Sequence, residues 1–297
     1  MNRVGVGVIG LGYWGPNLVR NFTKHVDCEV VAVADRDEQR LGSVLRAYPG
    51  ITGYADGSDL MADERVEAVV IASPVRTHFQ LAAEALERGK HVLVEKPLTA
   101  TVKEAKELVA LSRIRKLTLM VDHTFIYTGA VQKIRELISS GELGTIFYFD
   151  SVRTNLGLFQ DDINVLWDLA PHDFSIMTHL IDKEPDTVSA VGASPVGVDG
   201  WSPQSVMYVA VRFSDGFLAH FHLNWLAPVK VRRTLVGGSK RMVIYDHLDP
   251  DFQVKVFDKG LDVSDAEGNL RARVQYRVGD MLAPKVDQTE GLENMTR

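Results

Sequence analysis

The chain has 297 residues, 45% hydrophobic and 24% charged, proportions of a folded globular protein that exclude intrinsic disorder. Its 33 Lys and Arg against 39 Asp and Glu leave a net charge of -6, which argues against a broad electrostatic grip on nucleic acid or an anionic membrane. One cysteine, Cys28, excludes an internal disulfide and a cysteine-built zinc cluster. No apolar run reaches the ~18 residues of a membrane span, and Met1 to Gly10 lacks the layout of a secretory signal. The expectation is a soluble cytoplasmic protein of two domains.

Short β-branched runs alternate with helix-like stretches over the first hundred-odd residues. Val4–Ile9 reads as a strand, and Pro16 sits in the first turn of a helix running to Lys24. Glu29–Ala34, Ala68–Ala72, His91–Glu95 and a run from Leu117 to His123 are further strands; Glu38–Tyr48, Thr77–Arg88 and Val102–Arg113 have helical spacing. Continuous apolar strands of this kind belong to a parallel sheet covered on both faces. The fold class is therefore α/β, with an N-terminal doubly wound Rossmann sheet over residues 1–122.

The rhythm changes in residues 123–297. A helix is expected over Gly129–Ser139, a strand over Thr145–Val152, and a helix from Pro171 to Ile181. Val206–Phe213 and Phe217–Trp225 flank Asp215-Gly216, a hairpin signal, and Arg232–Val236 and Arg241–Tyr245 flank Gly237-Gly238 in the same way. This half reads as a C-terminal α/β domain with a large, mostly antiparallel open sheet and helices on one face.

Gly10-Leu-Gly12-Tyr-Trp-Gly15 follows the first strand and opens a helix, and Asp35 ends the next strand twenty residues beyond Gly15. That context is the one a dinucleotide site requires: Gly10 for the tight turn, Gly12 for approach of the pyrophosphate, Gly15 for helix–strand packing. Asp35 would accept hydrogen bonds from the adenine ribose hydroxyls and repel a 2′-phosphate, favouring NAD; Arg36 beside it leaves NADP open.

With Glu95-Lys96-Pro97 after a later strand, Ala72-Ser-Pro74 with His78, and Trp167-Asp-Leu-Ala-Pro-His172-Asp173, the chain resembles the Gfo/Idh/MocA family over nearly its whole length. The resemblance implies a Rossmann domain, a C-terminal α/β domain whose open sheet makes homo-dimers or homo-tetramers, and an active site between the domains at the nicotinamide. On the cofactor side it directs attention to Tyr13, Trp14, Ser73, Pro74 and His78, with Glu95 and Lys96. Members ordinarily continue with a helix that returns to the Rossmann domain, and Thr289–Arg297 falls where that helix should begin, so the chain reads as short. The glycine-rich stretch of many members is here Asn164-Val-Leu-Trp167.

The family's Lys, Asp and His fall on Lys96, Asp168 and His172. Imidazole titrates near neutrality, which suits His172 as the base for an alcohol proton. Lys96 would donate to the same oxygen, and Asp168 would orient the substrate or the histidine. Each has a plainer reading: Lys96 as a surface lysine, Asp168 as a helix cap, His172 as a packed histidine. If one helix holds both, Asp168 and His172 share a face. His123, Phe125 and Trp167 would border the substrate, and Arg153 and Asn155 could read sugar hydroxyls or a diphosphate. No histidine pair has a third ligand at a telling spacing, so no metal is expected.

These residues point to NAD(P)-dependent hydride transfer at a secondary alcohol of a sugar. Tyr13–Asn17 and Arg153–Phe159 resemble members acting on nucleotide-linked sugars, such as UDP-N-acetylglucosamine 3-dehydrogenases. Inositol or an aldose is the alternative substrate. An NAD-dependent glycoside hydrolase and a cofactor-binding protein without turnover are the alternative activities.

Overall fold

Strand β1 (Val4–Ile9) buries every residue after Val4, as a strand covered on both faces must. The computed structural model describes residues 3–157, 163–197, 200, 202–263 and 274–296. Two units emerge from the chain's internal contacts, Met1–Thr124 with Leu292–Arg297, and Phe125–Gly291. Among the described residues no helix is long and apolar enough to cross a membrane.

In the first unit β1 joins β2 (Cys28–Ala34), β3 (Thr52–Tyr54), β4 (Ala68–Ile71), β5 (His91–Val94) and β6 (Leu119–Val121). The order is β3-β2-β1-β4-β5-β6, parallel throughout. The order reverses between β1 and β4, and the loops leaving their carboxyl ends open the crevice where doubly wound sheets bind ligands. Helices α1 (Gly15–Lys24), α2 (Glu38–Ala47), α3 (Gly57–Ala62), α4 (Val75–Glu87) and α5 (Val102–Arg115) make the crossovers. Asp37 caps α2, Asp56 caps α3, and Thr101 with Glu104 forms a capping box on α5. β3 and α3 are additions to the expected elements.

The second unit holds an eight-stranded sheet. Its strands are β7 (Ile146–Leu156), β8 (Thr187–Ala193), β9 (Val206–Arg212), β10 (Leu218–Asn224), β11 (Leu226–Gly238), β12 (Met242–Asp246), β13 (Val254–Phe257) and β16 (Met281–Leu282). They are ordered β16-β13-β12-β11-β7-β10-β9-β8, and only the β7–β10 pair is parallel. A separate hairpin pairs β14 (Gly260–Val263) with β15 (Val274–Arg277). Helices α6 (Gly129–Ser139) and α7 (Val165–Leu180) supply Ile134 and Ile176 to a core that also contains Phe149, Phe221 and Trp225. Tyr208 remains 42% exposed on the other sheet face, where its ring stacks on His222. A last helix, α8 (Gly291–Met295), buries Leu292 and Met295.

Two expectations need correction. The helix expected from Pro171 begins at Val165, because Asn164 caps it by accepting from the Leu166 and Trp167 amides. Pro171 lies inside it. The turn expected at Gly237-Gly238 falls after them, since both glycines belong to β11. Gly237 pairs with Tyr148 across the strands, and a Cβ there would overlap the tyrosine ring. The glycine makes room for a ring instead of a turn. Overpacking of this kind costs about 1–3 kcal/mol, so Gly237→Ala should lower stability by that amount in urea melts. In a Tyr148→Ala background the same substitution should cost far less.

Candidate active site

In the first unit the crevice is a cavity of about 470 Å³, lined among others by Gly10, Gly12, Asp35, Arg36, Ser73 and Pro74. Gly10 has φ +90, which favours glycine, and a Cβ on it would press on the Ala72–Ser73 peptide 2.7 Å away. A Cβ on Gly15 would overlap the Gly10 carbonyl. Gly12 differs: a Cβ there would meet only the Arg40 guanidinium, at 3.7 Å. None of the described residues of this unit fills that space, so the residues fit a dinucleotide whose pyrophosphate approaches the backbone. The N-cap residue of α1, Trp14, makes no side-chain cap, which suits an anion at that amino end.

Asp35 accepts from the Leu11 amide at 2.6 Å and the Asp37 amide at 2.8 Å, which fixes its carboxylate beside the cavity. Arg36 is 89% exposed and reaches Asp56 at 3.4 Å. Arg40 and Arg76 also line the cavity and were not singled out in the sequence, where nothing marks them within amphipathic helices. Tyr13 and Trp14 are exposed and meet edge to face. They are not among the described lining residues, nor are His78, Glu95 and Lys96.

His78 is buried on α4, with Nδ1 2.9 Å from the Pro97 carbonyl and Nε2 2.8 Å from the Ser73 carbonyl. It links the loops that follow β4 and β5. Lys96, half-buried, precedes a cis Pro97, and its amide donates to Glu95 Oε2 at 3.1 Å. Burial, then the Asp122 carboxylate it hydrogen-bonds, push the Glu95 carboxyl well above its ordinary range. Asp122 also accepts from the Thr124 amide and hydroxyl. His123 follows, half-buried, and burial holds its imidazole below the usual range.

In the second unit α7 carries Trp167, Asp168, His172 and Asp173. Asp168 is not the cap. It lies inside the first turn, one helical turn before His172, so the two share a face. Its Oδ2 accepts from the indole Nε1 of Trp225 at 3.0 Å, and Trp225 is 1% exposed. The tryptophan thus anchors the carboxylate from β10's end. His172 meets the Phe125 ring edge-on at 4.8 Å. Arg153 on β7 is 3% exposed and donates through Nε and Nη2 to Asp173 at 2.8 and 3.0 Å. Asn155 is half-buried on the same face of β7. Trp167 is 37% exposed. Leu158 and Phe159 lie outside the described residues. Trp225 and the cations of β11 were missed, since an apolar hairpin and a basic run carry no motif.

Glu95 offers a pH test. Its folded form holds a proton that the unfolded chain releases in the ordinary carboxyl range, so stability falls as pH rises from there through the raised folded value. Glu95→Gln keeps a donor toward Asp122 and does not titrate. Its melting temperature should gain on the parent's as pH rises, and parallel curves would contradict a shared proton.

Residues 4–123 match the family described as "Oxidoreductase family, NAD-binding Rossmann fold", and residues 131–244 match the "GFO/IDH/MocA C-terminal domain". The chain is similar to the uncharacterized oxidoreductase YrbE of Bacillus subtilis (strain 168), 29% identical over 206 residues, which are 65% of this chain and 58% of YrbE, less than two thirds of its length. It is 31% identical over 258 residues to the UDP-N-acetylglucosamine 3-dehydrogenase of Acidithiobacillus ferrooxidans, covering 84% of this chain and 76% of that protein. A solved structure assigned as an oxidoreductase from Magnetospirillum magnetotacticum MS-1 superposes with TM-score 0.83 at 27% identity, covering 99% of this chain and 90% of that one. The Gly12 space, the anchored Asp35 and these matches agree: the chain belongs to the Gfo/Idh/MocA oxidoreductase family and carries its NAD-binding Rossmann domain.

Proposed function

We propose that the protein is an NAD-dependent dehydrogenase acting on a secondary alcohol of a sugar, in particular a nucleotide-linked sugar. The observation that carries the reading is the Asp168–Trp225 hydrogen bond, which fixes a carboxylate one turn from His172 on α7. A fixed carboxylate beside an imidazole can orient a substrate hydroxyl for deprotonation. His172 takes the hydroxyl proton, Asp168 sets the orientation, and Lys96 donates a hydrogen bond that steadies alkoxide character. Bound NAD supplies the hydride acceptor. The nucleotide-sugar preference is supported by the name of the similar Acidithiobacillus protein.

The partner proposed is a second copy of this chain, bound through the sheet face that α6 and α7 do not cover. Light scattering should give a dimer or tetramer, and a monomer at working concentration would retire that proposal.

The activity is tested by melting the protein with NADH and with NADPH. Cofactor at ~100 Kd adds about 2.7 kcal/mol, so NADH should raise the melting temperature, and more than NADPH does. Nucleotide sugars are then screened for NADH release. His172→Ala and Lys96→Ala should each lower kcat by roughly 10²–10⁴-fold, the range for a general acid–base group. A cooperative melt unmoved by either cofactor would sink the reading. Sugar cleaved without net NADH would favour the hydrolase.

A further inference from the structure

In the antiparallel pair β7–β11, Arg153 stands directly opposite Arg232. Like charges opposed across a sheet repel and destabilise it. Asp173 answers only one of them, gripping Arg153 through two hydrogen bonds at 2.8 and 3.0 Å in a pair whose side chains are 4% and 3% exposed. Arg232 is left over. Its Nε is buried without a hydrogen-bond partner, and among the described residues it forms no ion pair. Asp168, the other nearby carboxylate, is held by Trp225.

Lys230, two residues earlier on the same strand, adds a second cation without an ion pair among the described residues. The charge on Arg232 lowers the Lys230 ammonium; burial and then Arg153 lower the Arg232 guanidinium. Burial and the same three cations hold the His247 imidazole down to about 4, so it contributes no charge at neutral pH. Arg153, Arg232, His247 and His172 gather round one ring. The Phe125 centroid lies 4.7 Å from Arg153 Cζ, 5.9 Å from Arg232 Cζ, 5.0 Å from the His247 ring and 4.8 Å from the His172 ring.

We propose that Arg232 binds an oxyanion carried by the substrate, a diphosphate or a carboxylate, and so selects anionic over neutral sugars. The inference rests on the reading that His172 faces substrate. A half-buried guanidinium that stands on the Phe125 ring but has no carboxylate partner among the described residues is costly, and an oxyanion satisfies its planar donors two at a time. The role of reading a diphosphate, expected of Arg153, passes to Arg232, because Arg153 already spends two donors on Asp173.

The test is calorimetry on NADH-saturated protein, with the cofactor's own phosphate site filled, using inorganic pyrophosphate in one arm and glucuronate in the other. The parent should bind at least one, and the tighter arm identifies diphosphate or carboxylate as the source. Arg232→Gln should weaken that Kd by roughly 10–100-fold, the equivalent of one hydrogen bond to a charged group. Arg232→Lys, which keeps charge but loses the fork, should fall between. Arg233→Gln is the control: Arg233 points to the opposite face and pairs with Asp246 at 2.7 Å, and its loss should leave the Kd unchanged. Arg232→Gln should melt no lower than the parent, since it removes an unpaired charge. An NADH-induced melting shift with no oxyanion binding in either arm, or equal Kd values for parent and Arg232→Gln, overturns the inference and leaves the dehydrogenase standing. Oxyanion binding lost in Arg232→Gln supports it even if NADH gives no shift.

Discussion

The second unit depends on the buried ion pair between Arg153 and Asp173. Two parallel N–H···O contacts join the sheet's middle to the one helix that carries Asp168 and His172. Taking both charges out of water costs several kcal/mol per ion, and only good geometry offsets it. The pair therefore contributes position more than stability. A helix held by apolar contacts alone can slide by fractions of an ångström; a bidentate pair leaves little of that freedom. Asp173 follows His172 directly, so the pair fixes the helical turn from which the imidazole projects. The indole of Trp225 holds the preceding turn through Asp168, and α7 is pinned at two points of its length.

In the first unit the corresponding constraint is steric. Gly10 and Gly15 have no Cβ because backbone already occupies the place, whereas Gly12 has none although the described residues of this unit leave the place open. That contrast separates two glycines that build the turn from one that serves a ligand. Asp35, anchored by two amides, then presents a fixed carboxylate to the same cavity, which Arg36, Arg40 and Arg76 also line.

Much of this was legible in the residues because parallel strands and dinucleotide turns have local signatures. The apolar runs of β1, β2, β4 and β5 and the hairpin at Asp215-Gly216 follow from patterns a few residues long. β3 was not legible: three residues are too few to show a period. The start of α7 was misread because Pro171 suits a first turn, while the true start rests on Asn164 and its two amide contacts. Gly237 looked like a turn residue because its reason for being glycine, the Tyr148 ring, is distant in sequence. The Asp168–Trp225 bond spans 57 residues and the Arg153–Asp173 pair 20. Neither partner's spacing could announce them.

The charge count around Phe125 shows what such long-range pairing decides. Read along the chain, Arg153 leaves a strand as a candidate reader of sugar hydroxyls or a diphosphate, and Lys230-Val-Arg232-Arg233 is a basic run. Folding sorts them into different jobs. Arg233 turns to the other face and meets Asp246, Arg153 meets Asp173, and Arg232 is packed opposite Arg153 with no carboxylate of its own among the described residues. A stability argument alone would replace Arg232 with an apolar residue, because two cross-strand guanidiniums and one acid are an unbalanced set. The imbalance makes sense when the missing negative charge arrives with the substrate. Its attraction would then be unscreened by a competing carboxylate and felt beside the imidazole that receives the proton.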